Sequence, residues 1–260
     1  MSSQRVTAIL VVHDGATWLP EVVASIASQS RNADQIIAID TGSQDSSAKL
    51  LKGARIPVST IDRETGFGAA IAYGVEQLPP HIAGSNEWLW ILHDDCVLHP
   101  KALESLLAAT VERPNVVMAG PKLLGWHDRT HLLEVGVSIA TNGARWTGLE
   151  NSEYDQGQHD GVHEVLAVST AGALIRRDVF EDLGGFDLNL ELFRDDVDFG
   201  WRVRVAGHAV VVVTDAIGYH AQASATERRS VDVQGAFLHR PLLLDRRNAA
   251  YVLLLSLIHI

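Results

Sequence analysis

Residues 7–43 read TAILVVHDGATWLPEVVASIASQSRNADQIIAIDTGS, and this stretch decides the fold. An unbroken apolar run at 7–12 ends in His13-Asp14, and residues 17–28 carry apolar side chains at helical spacing. A second short run, QIIAI at 35–39, ends in Asp40-Thr41-Gly42-Ser43. Short apolar runs with no polar alternation fit strands covered on both faces, and a helix between two of them makes a βαβ unit. Working outward, the alternation continues: a helix at 46–51, a strand at 57–61, a helix at 68–77 and a strand at 87–92, EWLWIL. Three strand ends therefore carry polar clusters, His13-Asp14, residues 40–43 and His93-Asp94-Asp95. Open α/β sheets bind ligands outside the carboxyl ends of their strands, so the three clusters are expected to converge on one crevice.

The second half is less regular. Strands are predicted at 116–120, 135–139, 165–169 and 173–175, with a polar, glycine-rich loop at 142–163 that could cover a substrate. A helix at 177–183 stops at Gly184-Gly185, a helix at 196–206 is closed by Gly207, and 209–213 is a β-branched strand. The start of the chain reads as a strand rather than a signal peptide, because its apolar run is short and contains Thr7. After Asp245-Arg246-Arg247 comes AAYVLLLSLIHI, too short for the roughly 20 residues a membrane crossing takes. It is expected to be either a terminal core helix or the first half of a transmembrane helix in a longer chain, its last residues foreign to the protein. The organisation expected is one catalytic domain over 1–240 and an apolar segment over 241–260.

The composition narrows the function classes. With 21 Lys+Arg against 32 Asp+Glu, the formal net charge of −11 over 260 residues argues against a nucleic-acid binder, which needs a basic footprint. A carboxylate surplus suits divalent cations or solubility alike. The single cysteine, Cys96, excludes an internal disulfide, suits a reducing compartment and reads as a small buried residue.

Several constellations could carry chemistry. Asp94-Asp95, at the end of the aromatic strand, offers oxygen ligands for a hard cation, or else a solvated turn ahead of a helix. Asp40 looks surplus to the turn that Gly42, Ser43 and Asp45 already explain, and could accept from a nucleobase or ribose. Gly66 and Gly68 open a helix where free amides could meet a phosphate, although the third glycine of a dinucleotide fingerprint is missing. The densest cluster is RDDVDFGWR at 194–202. Asp198 and Arg202 are spaced for an ion pair, and one of the three carboxylates Asp195, Asp196 and Asp198 could act as a general base, or the cluster could simply complement a helix dipole. His220 could join carboxylates around a metal.

Taken in order, these pieces resemble the family 2 glycosyltransferases of the GT-A fold. The opening stretch is similar to that family's first strand and helix, including the S-x-x-x-Q ending at Ser25 and Gln29. QIIAIDTGSQDSS resembles its IIVVDNGSxDxS segment, GFGAAIAYGVE its GxGxAxNxG helix, and WLWILHDDCVLHP its D-x-D metal motif. The segment STAGALIRRDVF through AIGYHA resembles the acceptor region, with the family's E-D-x-D written here as Asp195-Asp196-Val197-Asp198. Three positions depart from the pattern: His93 opens the D-x-D-like triplet, Asp195 replaces the usual Glu, and Tyr73 replaces the Asn of the glycine-rich helix.

The resemblance implies a Rossmann-like α/β domain with a mixed, mostly parallel sheet flanked by helices. It also implies an inverting transfer of a sugar from a UDP- or dTDP-sugar to a hydroxyl of a glycan or lipid-linked acceptor, at the inner face of the cell membrane in cell-envelope synthesis. Asp40, Gly66, Gly68 and Asp94 would contact the nucleotide, Asp95 and His220 would hold Mg²⁺ or Mn²⁺, and Asp196, or its neighbour Asp195, would be the base. The pattern around GGFD and DDVDFGWRVRVAGH is most like bacterial rhamnosyl- and galactofuranosyltransferases. Two rival classes are a nucleotidyltransferase, which should show a basic glycine-rich phosphate loop near its start, and a non-catalytic sugar-nucleotide-binding domain of a larger membrane protein.

Overall fold

The structure is a computed structural model that describes residues 4–141, 143–150, 152–226, 228–232 and 240–258. Asn142 and Asn151 of the expected loop and His259-Ile260 of the apolar end lie outside the described residues. The chain runs β1 (Arg5–Val12), α1 (Leu19–Ala27), β2 (Gln35–Asp40), α2 (Ser47–Gly53), β3 (Val58–Thr60), α3 (Phe67–Glu76) and β4 (Glu87–His93). It continues with β5 (Cys96–Leu98), α4 (Ala102–Glu112), β6 (Val116–Gly125), β7 (Leu132–Glu134), β8 (Ser138–Ile139), β9 (Arg145–Trp146) and β10 (Val162–Glu164). β11 (Leu174–Arg176), α5 (Arg177–Asp182), α6 (Asp195–Val205), β12 (Ala209–His220) and α7 (Pro241–Ile258) complete it.

The main sheet has the order β10-β12-β6-β11-β4-β1-β2-β3, with β5 on β12 and β7 on β6. Its longer ladders, β1–β2, β1–β4 and β6–β12, are parallel, while β11 lies antiparallel between β4 and β6. The expected α/β architecture is present, a mixed and mostly parallel sheet flanked by helices.

Period-two geometry explains the uninterrupted apolar runs. In β1, Val6, Ala8, Leu10 and Val12 point to one face, where they pack with Leu19 and Val22 of α1 and Leu103 and Leu106 of α4. Ile9 and Val11 point to the other, against Ile71 of α3, Phe180 of α5 and Phe199 of α6. A strand buried on both faces has no polar side to show. Truncating Leu10, fully buried, to Ala should cost about 2–5 kcal/mol. The Ser25–Gln29 motif is polar glue for this layer: Gln29 Nε2 donates to the His99 carbonyl, its Oε1 accepts from Leu103 N–H, and Ser25 Oγ accepts from Leu98 N–H.

The second half differs from expectation at several strands: of 135–139 only Ser138–Ile139 is strand, with β7 just before it. Residues 165–169 are not a strand; β10 lies just before them, pairing antiparallel with Val211–Val213 of β12 at the sheet edge. His163 and Glu164 are exposed there, so an edge strand hides behind polar side chains while the apolar 165–169 packs as irregular backbone. β12 also runs past its expected end at Val213 through to His220. The apolar segment forms α7, which packs on the domain: Leu244, Asn248 and Val252 are buried, and Asn248 donates to the carbonyls of Leu192 and Phe193. Among the described residues, no helix is long and apolar enough to cross a membrane.

Candidate active site

A cavity of about 430 Å³ opens at the carboxyl ends of β1, β2 and β4. His13, Thr41 and His93-Asp94-Asp95 form its floor, the start of α6 and the tip of α7 its far wall, and parts of residues 222–232 its cover. The expected convergence of strand-end clusters is therefore seen.

On the floor, Asp94 and Asp95 are almost wholly buried, at 2% and 1% exposure. Gly15 lets the turn after β1 lie directly on Asp94, since a Cβ there would stand 2.3 Å from its Oδ2. Asp94 accepts from His13 N–H at 2.8 Å and from Arg229 Nη1 at 2.7 and 2.8 Å. Asp95 accepts from His220 Nε2 at 3.1 Å and from Ala223 N–H at 2.8 Å. Burial pushes both carboxyls up. For Asp95 the nearby His220 and Arg229 outweigh burial and hold it well below the usual carboxylate range; Asp94 stays raised despite Arg229. His93 joins this group, its Nδ1 3.9 Å from Asp95 and its Nε2 2.9 Å from Thr170 Oγ1; burial, with His220 beside it, lowers its pKa to about 3.

A divalent ion fits these residues. One donor atom each from His93, Asp95 and His220 lies within 4.8 Å of the others, and the buried His220 Nδ1 has no partner among the described residues. Two imidazoles with one carboxylate favour Mn²⁺ over the harder Mg²⁺.

On the far wall, Phe193 and Arg194 enter α6 with φ of 67° and 69°, a left-handed pair that costs roughly 1–3 kcal/mol per residue. Arg194 is held there by a two-pronged ion pair to Asp245 of α7, at 2.6 and 2.9 Å. This entry aims Asp195 and Asp196, the first residues of α6, at the cavity. Arg145 of β9 reaches in and donates to Asp196 Oδ2 and Glu134 Oε2, each at 2.7 Å. Asp196 Oδ1 accepts from Val197 N–H, whereas the buried Oδ2 of Asp195 has no partner among the described residues. Burial, reinforced by Asp196 next to it, pushes Asp195 up to about 7. Asp198 is the expected structural ion pair, 2.6 Å from Arg202.

The other expected residues divide. Asp40 is 1% exposed, does not line the cavity and is not spare: its Oδ1 accepts from Ser43 N–H and closes the turn, leaving Thr41 to face the cavity. Gly66 lines the cavity, and a Cβ on it would collide with the Glu191 backbone at 2.5 Å. A Cβ on Gly68 would stand 3.0 Å from Phe186 Cβ, so this glycine serves close helix packing. Cys96 is buried, its thiol pushed well up by burial. Sequence reading missed Arg145, Arg229, Glu134 and the Arg63–Asp14–Asp232 group, in which Arg63 pairs with Asp14 at 2.5 Å and Asp232 at 2.6 Å. The weak signal was Arg228-Arg229 standing alone in a polar stretch of an acidic chain.

Residues 5–233 match the family described as glycosyltransferase like family 2. An N-acetylglucosaminyl-diphospho-decaprenol L-rhamnosyltransferase of Mycobacterium tuberculosis is 23% identical over 85% of this chain and 77% of its own length. The galactofuranosyltransferase GlfT1 of Mycolicibacterium smegmatis is 22% identical over 79% of this chain and 67% of its own length. Among solved structures, GalNAc-T7 with UDP, GalNAc and Mn²⁺ superposes with a TM-score of 0.63 at 16% identity. That alignment covers 84% of this chain but only 44% of the other. Staphylococcus aureus TarS superposes with a TM-score of 0.58 at 14% identity, over 85% and 37%. Strand order, the acidic strand end, the α6 carboxylates and the match over nearly the whole chain agree: the protein belongs to glycosyltransferase family 2 and is an enzyme domain of the GT-A fold.

Proposed function

We propose that the chain transfers a sugar, with inversion, from a nucleoside-diphosphate donor to a hydroxyl of a glycan or lipid-linked acceptor. The observation that carries this reading is the single cavity lined by two separate aspartate pairs, one at the end of β4 and one at the start of α6. Asp95, His220 and His93 would hold Mn²⁺ or Mg²⁺, with Asp94 assisting at the diphosphate. When bound, the ion neutralises charge developing on the departing nucleotide. Gly66 lets the backbone approach the donor, and the base and ribose lie on the side of Thr41, with Asp40 fixing the turn beneath it.

Asp196 is the base. Arg145 holds it in place through a 2.7 Å hydrogen bond, and it takes the acceptor's proton as the hydroxyl oxygen attacks the anomeric carbon from the side opposite the leaving diphosphate. One attack on one face inverts that carbon, and no carboxylate nucleophile is needed. A second assignment within this reading makes Asp195 the base, favoured by its unpartnered oxygen and its pKa near 7, where proton transfer at neutral pH is best matched.

The relatives' names support a cell-envelope acceptor, rhamnosyl or galactofuranosyl chemistry among them. The exposed Leu242, Leu243 and Leu254 of α7, with Arg246 and Arg247 on the same helix, support delivery of that acceptor from the inner face of a membrane. Turnover and UDP binding of Asp196→Asn and Asp195→Asn test the assignment. The true base variant should lose about 10²–10⁴-fold in turnover while binding UDP normally. Loss of nucleotide binding in both variants would contradict it.

A further inference from the structure

The position of Arg229 goes beyond a donor site formed by carboxylates and an ion. Its side chain is only 9% exposed. Nη1 bonds both oxygens of Asp94 and the His13 carbonyl, and Nη2 stands 3.6 Å from Asp95 Oδ2. Its Cζ lies 5.6 Å from the Trp18 ring centroid, and its buried Nε has no partner among the described residues. A buried guanidinium must be paired, and two adjacent buried carboxylates repel unless a cation lies between them. Arg229 meets both needs.

The residues around it join its position to the cavity. Residues 222–225 and 229–232 line the cavity, and this segment is tied to Asp95 at one end, through Ala221 N–H to its carbonyl at 2.9 Å and Ala223 N–H to its side chain. At the other end Asp232 meets Arg63 at 2.6 Å and His13 at 3.1 Å. The tether is short, so a displaced Arg229 stays within the cavity.

We propose that Arg229 is a tethered counter-cation: it pairs with the carboxylates that a divalent ion would use, and on donor binding it moves to the donor's diphosphate. This inference rests on the nucleotide-diphosphate reading of the same cavity. Charge supports the exchange. Asp94, Asp95 and Arg229 together carry one net negative charge; a divalent ion alone would reverse the sign, and a diphosphate with two negative charges restores it. The ion and the nucleotide therefore enter best together, with Arg229 favouring the pair over the ion alone. Water-excluded arginine also suits phosphate, since its planar fork donates to two oxygens at once.

The test measures two affinities on the full chain: Mn²⁺ alone, by the electron paramagnetic resonance of free Mn²⁺, and UDP in saturating Mn²⁺, by calorimetry. Arg229→Gln should bind Mn²⁺ alone about tenfold more tightly, because the competing guanidinium is gone, and UDP about tenfold more weakly. Arg229→Lys should shift each affinity in the same direction but less. A merely structural arginine would weaken both affinities together, and that result, or two unchanged affinities, overturns the inference. A thermal unfolding curve matching the unaltered chain shows that Arg229→Gln is folded; if it is not, Arg229→Lys carries the same opposite-sign criterion. Failure of the unaltered chain to bind UDP at all would instead sink the donor-site reading, and this inference with it.

Discussion

Two Asp-Asp dipeptides face the same cavity, and their surroundings make them opposites. Asp94-Asp95 sits among a guanidinium and two imidazoles: Arg229 on one carboxylate, His220 on the other, His93 close by. Asp195-Asp196 has one arginine, Arg145, and that arginine is shared with a third buried carboxylate, Glu134. The first pair keeps Asp95 ionised well below the ordinary range, as a cation site requires. The second has more acid than cation, and burial with Asp196 alongside leaves Asp195 titrating at about 7, while burial also raises Glu134. In the proposed reading, one pair holds a positive ion and the other holds and releases a proton. Dipeptide identity does not decide the chemistry; the charges brought in from elsewhere in the chain do.

The largest effect expected from breaking the contrast is at the first pair. Asp95→Ala should abolish Mn²⁺-dependent UDP binding in calorimetry, and turnover with it, because the buried His220 and Arg229 lose their shared anion. Next comes Arg145→Ala at the second pair, where turnover should fall about tenfold and the acid limb of the rate profile should move to higher pH. The sign follows from removing a cation whose charge partly offsets burial at Asp195, so that carboxyl of the pair holds its proton to higher pH. UDP affinity should stay within about threefold, which separates this residue from the donor side; an unmoved acid limb would rule out a positioning role.

A smaller effect concerns stability. The Asp195 carboxyl is raised to about 7 in the folded chain from an ordinary 3.8, so folding is favoured below the lower value and that advantage fades as pH climbs through about 7. Asp195→Asn, which cannot ionise, should therefore raise Tm more at pH 8 than at pH 4. An equal shift at both would mean the carboxyl is not held neutral by burial. The smallest effect is at the docked helix, where Asp245→Asn loosens the pair holding Arg194 in its left-handed conformation. A loss of about 1–2 kcal/mol in denaturant unfolding is expected, with unchanged UDP affinity.

These contrasts also explain what could be read from the chain alone. The parallel strands were legible because burial on both faces leaves continuous apolar runs, as in β1 and β4, and their carboxyl ends pointed to Asp94, Asp95 and the crevice. The α6 carboxylates and His220 were legible as short local patterns. β10 was not, because an edge strand carries His163 and Glu164 outward and its register is set only by pairing with β12. Arg229 and Arg145 were illegible for a related reason: each meets its carboxylate from 135 and 51 residues away, and nothing in the local sequence distinguishes them from surface arginines. The role of Asp40 in closing its own turn was not legible, because an aspartate that does so looks, in one dimension, the same as one left free for a ligand.

The division of labour between the two pairs is tested most directly by titrating UDP, with Mn²⁺ and with EDTA, into the unaltered chain, Asp95→Ala and Asp196→Asn. The account predicts Mn²⁺-dependent binding by the unaltered chain, equal binding by Asp196→Asn, and none by Asp95→Ala. Binding that survives EDTA, or that is lost in Asp196→Asn while Asp95→Ala retains it, would contradict the account.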